Sequence, residues 1–295
     1  ENFGLPEKRE KPAHASGSRE NAALATRAKI AATPCGLHQF RGRLERFNSR
    51  PEWLEIRRLL YRGNLGKTGY YLDALLRIPP HASLFFKAER LLDMLGERSP
   101  CTRQHSINVK QILQGFKKSR ARAFGGVDFK KAAFAMELHD IGKLCFTDPM
   151  LNENIRFNEQ EHRIKEDHPR LGALVLSALG FDEKVIRIVL AHHLKMQTLA
   201  DGSLRLAGYP VEVFKEYCGL KGLDPELTAE DHIAGFADAF SAMTQNRPFD
   251  KYNTRSARRE EIFEIMDHRI FSDPYYHTGP GAPLYAAFKK AACSL

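Results

Sequence analysis

His139-Asp140-Ile141-Gly142-Lys143 closes the largely apolar run Ala132 to Leu138, and how this stretch ends decides how the chain is read. Asp128 can cap a helix running through Leu138, which delivers His139 and Asp140 together at its end, where Gly142 permits the turn. Adjacent imidazole and carboxylate can grip one metal ion, and the chain supplies further donors around them. His105 lies upstream, His168 stands in Asp167-His168-Pro169, His192-His193 form a second doublet, and Asp238 sits in Gly235-Phe236-Ala237-Asp238-Ala239-Phe240. Imidazole with carboxylate suits divalent transition ions such as Mn, Fe or Zn, whereas a Ca or Mg site is built mostly from oxygen.

A single histidine on an apolar face is more often a hydrogen-bonded core residue than a ligand, and His162, His232 and His268 are read that way. The seven donors are different because they recur together. Asp238, flanked by Phe236 and Phe240, would be a costly buried charge unless paired or coordinated.

The segments that would carry these residues read as helices. His105, Val109, Ile112, Leu113 and Phe116 share a helical period, which turns His105 toward the core. Asp167 before His168-Pro169 looks like a helix start with proline in the first turn, and Asp182 and Thr228 start two more. Upstream, Trp53, Leu54, Ile56, Leu59 and Leu60 can share one face, and Leu84, Phe85, Ala88, Leu91, Leu92 and Leu95 make another stripe. Strand signals are sparse, so the fold class is all-α. Residues 1–35 read as a flexible basic tail or linker, 36–100 as a helical N-terminal segment suited to dimerisation, and 101–295 as the domain with the donors.

Composition narrows the partners. With 43% hydrophobic residues in 295, the chain can bury a core. No run approaches about 18 consecutive apolar residues, so no membrane span is expected. Five scattered cysteines without a Cys-x-x-Cys pair fit a reduced cytoplasm. A formal charge of +9 is compatible with a solvated surface or with phosphate-bearing ligands, while the absence of zinc-finger spacing or an RNA-binding motif argues against a nucleic-acid polymer.

In order, His105-Ser106, His139-Asp140-Ile141-Gly142-Lys143, His168-Pro169 with Gly172, His192-His193, Asp201-Gly202, Gly208-Tyr209-Pro210, Asp238-Ala239-Phe240 and Arg247-Pro248-Phe249 resemble the HD superfamily of metal-dependent phosphohydrolases. More narrowly, the series resembles the HD-GYP phosphodiesterases that cleave cyclic di-GMP. The resemblance implies an HD-domain helical bundle in which His105, His139, Asp140 and Asp238 form one ligand set. It implies that His168, His192 and His193 support a second ion, with Asp140 shared. Two divalent transition ions are implied, Fe or Mn first, with Zn, Co and Ni also compatible. Such a pair activates water and stabilises charge on a phosphodiester oxygen. Lys143 would then neutralise a phosphoryl oxygen or leaving group, and Arg247 would hold a substrate phosphate by its planar fork. The expected substrate is a cyclic dinucleotide, with cyclic di-GMP opened to linear pGpG. Gly208-Tyr209-Pro210 offers a surface for a protein partner, and a homodimer is compatible with the N-terminal segment.

Several positions depart from the family pattern. Leu194 stands where glutamate usually follows the double histidine, and extra residues flank Asp201-Gly202-Ser203, so this loop is expected to be reshaped. Ser241 and Asp250 replace an aspartate and a basic residue, both assigned to the substrate side. Cys101 occupies the position of a glutamate found in trimetal members. These departures keep two rivals open: an HD phosphohydrolase for another nucleotide or phosphoester, and a metal-retaining binding module.

Overall fold

The computed structural model describes residues 74–75, 77–79, 81–116, 122–146, 151, 165–245 and 258–294. The tail reading of 1–35 and the Trp53 to Leu60 stripe therefore lie outside the described residues, as do His162, Arg247 and Asp250. Within them the fold is all-α apart from one two-stranded hairpin. No described helix is long and apolar enough to cross a membrane.

Helix α1 (Leu84–Arg98) starts at Ser83, whose hydroxyl accepts from the Phe86 amide, and it buries Ala88, Leu91, Leu92 and Leu95. Leu84 and Phe85 were placed on the same stripe, but both are exposed; the buried arc begins one turn later. At its far end Arg98 donates to the carbonyls of Leu144 (2.5 Å) and Phe146 (2.6 Å), which pins the segment after His139-Asp140. Helix α2 (Pro100–Phe116) packs along α3 (Phe129–Glu137), and its buried side carries His105 with Val109, Leu113 and Phe116.

The remaining helices close around this pair. Helix α4 (His168–Ala178) lies against α5 (Glu183–Ala191) and against the 3₁₀ turn Ile141–Cys145. Helix α6 (Val211–Lys221) packs on α5, and α7 (Ala229–Thr244) crosses α2 and α3. Asp128, Asp182 and Thr228 cap α3, α5 and α7 as their sequence positions predict, with Asp231 completing a capping box at α7.

After α7 come α8 (Arg259–Ile265), a π-helical turn (Met266–Ile270), the short α9 (Pro274–His277) and α10 (Ala282–Cys293). The aromatic core is built here. Phe288 of α10 meets Phe116 (5.2 Å) and Phe236 (5.4 Å), and Tyr285 meets Phe236 at 4.9 Å between centroids. Each buried aromatic contributes about 1.5–3 kcal/mol. Phe236 and Phe240 are four residues apart and hold one face of α7 in this core, so Asp238, two residues on from Phe236, projects from the opposite face.

The residues around Asp201-Gly202-Ser203 are reshaped into a hairpin, with β1 (Lys195–Thr198) antiparallel to β2 (Leu204–Ala207) and Lys195 opposite Ala207. Gly202 adopts φ 80° at the tip, and Asp201 Oδ1 accepts from both the amide and the hydroxyl of Ser203. An Asp-Gly tip is a strong hairpin signal; the sequence reading stopped at a loop because the strands are only four residues each.

Candidate metal centre

Three imidazoles in this fold are aimed by the same device. His139 donates Nδ1–H to the Met136 carbonyl (2.6 Å), His168 to Lys165 (2.8 Å), and His192 to Val189 (2.6 Å), each three residues back along the chain. His105 instead sets Nδ1 against Ser241 Oγ at 3.2 Å, and that oxygen also receives the Gln245 side-chain amide at 2.9 Å. With Nδ1–H given to a carbonyl, the rings of His139, His168 and His192 turn Nε2 inward, which fixes the tautomer a metal ligand needs.

The Nε2 atoms converge on two carboxylates. His105 Nε2 lies 2.7 Å from Asp238 Oδ1, and His139 Nε2 lies 3.4 Å from the same oxygen and 3.5 Å from Asp140 Oδ2. His168 Nε2 lies 3.2 Å from Asp140 Oδ1, and His193 Nε2 lies 3.7 Å from Asp238 Oδ2. Three overlapping sets have donor atoms all within 4.8 Å: His105, His139 and Asp140; His139, His192 and Asp238; His168, His192 and His193. The structure thus brings together all seven predicted donors.

The donor chemistry fits a cation. His168 Nε2 and His192 Nε2 are 3.2 Å apart, and both rings have their only neutral-state proton committed at Nδ1. Two lone pairs therefore face each other across a buried gap, an arrangement that a shared cation relieves. Burial, joined by Lys143, holds His168 well below the usual histidine range against the pull of Asp140; burial and His193 do the same for His192. For Asp140, burial acts upward, yet His139, Lys143, His168 and His105 outweigh it and keep the carboxyl well below its usual range. Asp238 follows the same logic with His105 and His139.

Glycine makes the approach possible. Gly142 was assigned to a turn, but what it allows is contact: a Cβ there would stand 2.0 Å from the His168 carbonyl oxygen and 2.5 Å from the Gly172 amide. Helix α4 can therefore lie directly on the 3₁₀ turn that follows Asp140. Lys143 reaches back from that turn, with Nζ 2.7 Å from Asp140 Oδ2.

Beside the cluster opens a cavity of about 400 Å³, with His192, His193 and Asp238 on its floor and Glu166, Lys195, Tyr209 and Phe271 on its walls. The π-helical turn ends at this wall, where Lys195 Nζ donates to the Ile270 carbonyl (3.0 Å) and lies over the Phe271 ring. A larger groove of about 810 Å³ runs past Phe85, Phe86 and Phe134 and contains none of the seven donors.

One assignment changes, and one gains a different role. Ser241, given to the substrate side, is fully buried behind His105 and orients it. Asp167 stands at the start of α4 but makes no capping bond; its carboxylate binds Arg170 and Tyr209 instead. Cys101 is exposed and belongs to none of the three donor sets among the described residues. The backbone carbonyls of Met136, Lys165 and Val189 were not anticipated, since a carbonyl carries no sequence signature.

Residues 102–243 match the family model of the HD domain, and this part of the chain is an HD domain. Within that class, its similarity to cyclic di-GMP phosphodiesterases supports assignment to the HD-GYP branch. The chain is 28% identical over 181 residues to 3'3'-cGAMP-specific phosphodiesterase 1 of Vibrio cholerae, covering 61% of this chain and 36% of that protein. It is 29% identical over 132 residues to a cyclic di-GMP phosphodiesterase of Pseudomonas aeruginosa, PA4108, covering 44% of this chain and 28% of the relative. It is 29% identical over 195 residues to a cyclic di-GMP phosphodiesterase of Thermotoga maritima, covering 65% and 48%. The chain spans less than half the length of each of these relatives.

Proposed function

We propose that this chain is a metal-dependent phosphodiesterase that hydrolyses a cyclic dinucleotide, with cyclic di-GMP as substrate and linear pGpG as the main product. The observation that carries the reading is the facing pair of Nε2 atoms on His168 and His192, set among five further donors and beside a ligand-sized cavity that His192, His193 and Asp238 line. His105, His139, Asp140 and Asp238 would hold one Fe or Mn ion, and His168, His192 and His193 with Asp140 a second. When bound, such ions supply Lewis acidity and water of lowered pKa.

The chain's own residues supply orientation and charge. Carbonyl-bound Nδ1 atoms keep the rings from rotating, and Asp140 and Asp238 keep their charge at neutral pH. Lys143, already on Asp140, would offset charge growing on a phosphoryl oxygen. Lys195 and Phe271 would receive one nucleotide, and Arg247 would grip the other phosphate. In the reaction water adds at phosphorus, one ribose oxygen leaves and takes a proton, and the ring opens to a linear dinucleotide. With Cys101 outside the donor sets, cleavage is expected to stop after this first cut. The relatives' names support the substrate class; one points to cyclic di-GMP's guanine–adenine counterpart.

The test is a substrate panel of cyclic dinucleotides, linear dinucleotides and nucleoside phosphates, run with Mn or Fe under low oxygen and followed by chromatography. Accumulation of pGpG from cyclic di-GMP, with little GMP, is the expected result. Cleavage of nucleoside phosphates alone would favour another HD phosphohydrolase, and turnover of nothing would favour a binding module.

A further inference from the structure

The loop Gly208-Tyr209-Pro210 is held at two points, and each lies beside a proposed ligand. Gly208, at φ 104°, passes so close to His193 that a Cβ there would stand 2.9 Å from the His193 carbonyl oxygen. One residue on, the Tyr209 hydroxyl donates to Asp167 Oδ1 at 2.5 Å. Asp167 is gripped in turn by Arg170, whose Nε donates to Oδ1 at 2.7 Å and whose Nη2 donates to Oδ2 at 2.5 Å. Asp167 directly precedes His168, so one loop ties the His193 segment to the start of α4 across the rim of the 400 Å³ cavity.

A carboxylate fixed by a two-pronged guanidinium gives the tyrosine an acceptor of set direction, and a charge-assisted bond of this kind is stronger than a neutral one. Burial and Asp167 push the Tyr209 hydroxyl up to about 12, so it stays protonated and able to donate at neutral pH. Tyr209 is 42% exposed, and its hydroxyl bond to Asp167 is its polar anchor. What Tyr209 contributes to the loop is therefore concentrated in its hydroxyl.

Resting on the phosphodiesterase reading, we propose that Tyr209 is a positioning residue: its bond to Asp167 sets the cavity rim against the start of α4 and so fixes how a cyclic dinucleotide lies over the cluster. Its hydroxyl acts through Asp167 and the loop, not on the reacting phosphorus. Losing it leaves the donors in place and lets the rim drift, which costs a large ligand more than a small one.

The experiment uses the full chain loaded with Mn, comparing wild type with Tyr209→Phe and with Asp167→Asn, whose amide oxygen can still accept the tyrosine bond. Steady-state kinetics are measured on cyclic di-GMP and on bis(p-nitrophenyl) phosphate, alongside metal content and amide hydrogen exchange. Tyr209→Phe is expected to raise KM for cyclic di-GMP about 10-fold with kcat changed less than about threefold. The small diester should be affected far less, metal content should hold, and amides of 199–210 should exchange faster. Asp167→Asn should fall between the two. Unchanged exchange in 199–210, or equal losses on both substrates together with metal loss, would overturn the proposal. If wild type opens no cyclic dinucleotide, the phosphodiesterase reading fails by itself, and exchange still decides the tether: faster in Tyr209→Phe supports it, unchanged refutes it.

Discussion

His168 Nε2 and His192 Nε2 face each other at 3.2 Å while each ring spends its Nδ1 proton on a carbonyl three residues back. A hydrogen bond between them would require a proton that burial disfavours, so the pair is strained in chelated protein and relieved by a cation. Replacing His168 with glutamine gives His192 Nε2 an amide donor. In EDTA, His168→Gln is expected to gain roughly 1 kcal/mol, or about 2–4 °C in Tm, while losing part of the metal-induced Tm rise. Calorimetry with and without Mn checks this; equal destabilisation in both conditions would contradict it.

Gly142 has no room for a side chain against the His168 carbonyl and the Gly172 amide, both of which are backbone and cannot swing aside. Gly142→Ala must push α4 off the turn that follows Asp140. A loss of about 3 kcal/mol or more is expected in urea unfolding, together with a fall in metal loading. Near-wild-type stability would show that the contact is looser than described.

How this glycine was read shows what the sequence makes legible. Its place after His-Asp marks it as special, but the reason, a distant helix beginning at His168 and lying on it, is a tertiary fact. The seven donors were legible because donor types recur in one order across separate helices, and caps at Asp128, Asp182 and Thr228 follow local backbone rules that residue type reveals. Ser241 was misassigned because sequence gives its distance from Asp238 but not which side of α7 meets His105. The Asp167–Tyr209 bond joins residues 42 positions apart and has no periodic trace.

Lys143 touches Asp140 and lies beside the reaction site in the proposed mechanism. Lys143→Ala is expected to keep metal content near wild type and to lower kcat about 10²-fold, the usual cost of removing one charge-stabilising donor. Parallel measurement of metal and turnover separates the roles; loss of metal in step with activity would make Lys143 a support for Asp140 alone.

His232 is buried, stacks on Phe236 and receives no carboxylate, so burial lowers it from 6.5 to about 4. Because the folded value lies below the unfolded one, its contribution is fully present above about pH 6.5 and is lost as pH falls toward 4. Wild type should lose roughly 3 kcal/mol more than His232→Phe between pH 7 and pH 4. All other titrating groups are common to both proteins, so equal pH profiles would remove His232 as a source of acid sensitivity.

The most direct test of the whole account is elemental analysis of protein reconstituted with Fe or Mn under low oxygen, beside the variants Asp140→Ala and His168→Ala. A shared carboxylate should serve two ions and a terminal imidazole one. The account predicts about two ions per chain in wild type, close to none in Asp140→Ala and about one in His168→Ala. Negligible metal in correctly folded, reconstituted wild type would contradict it.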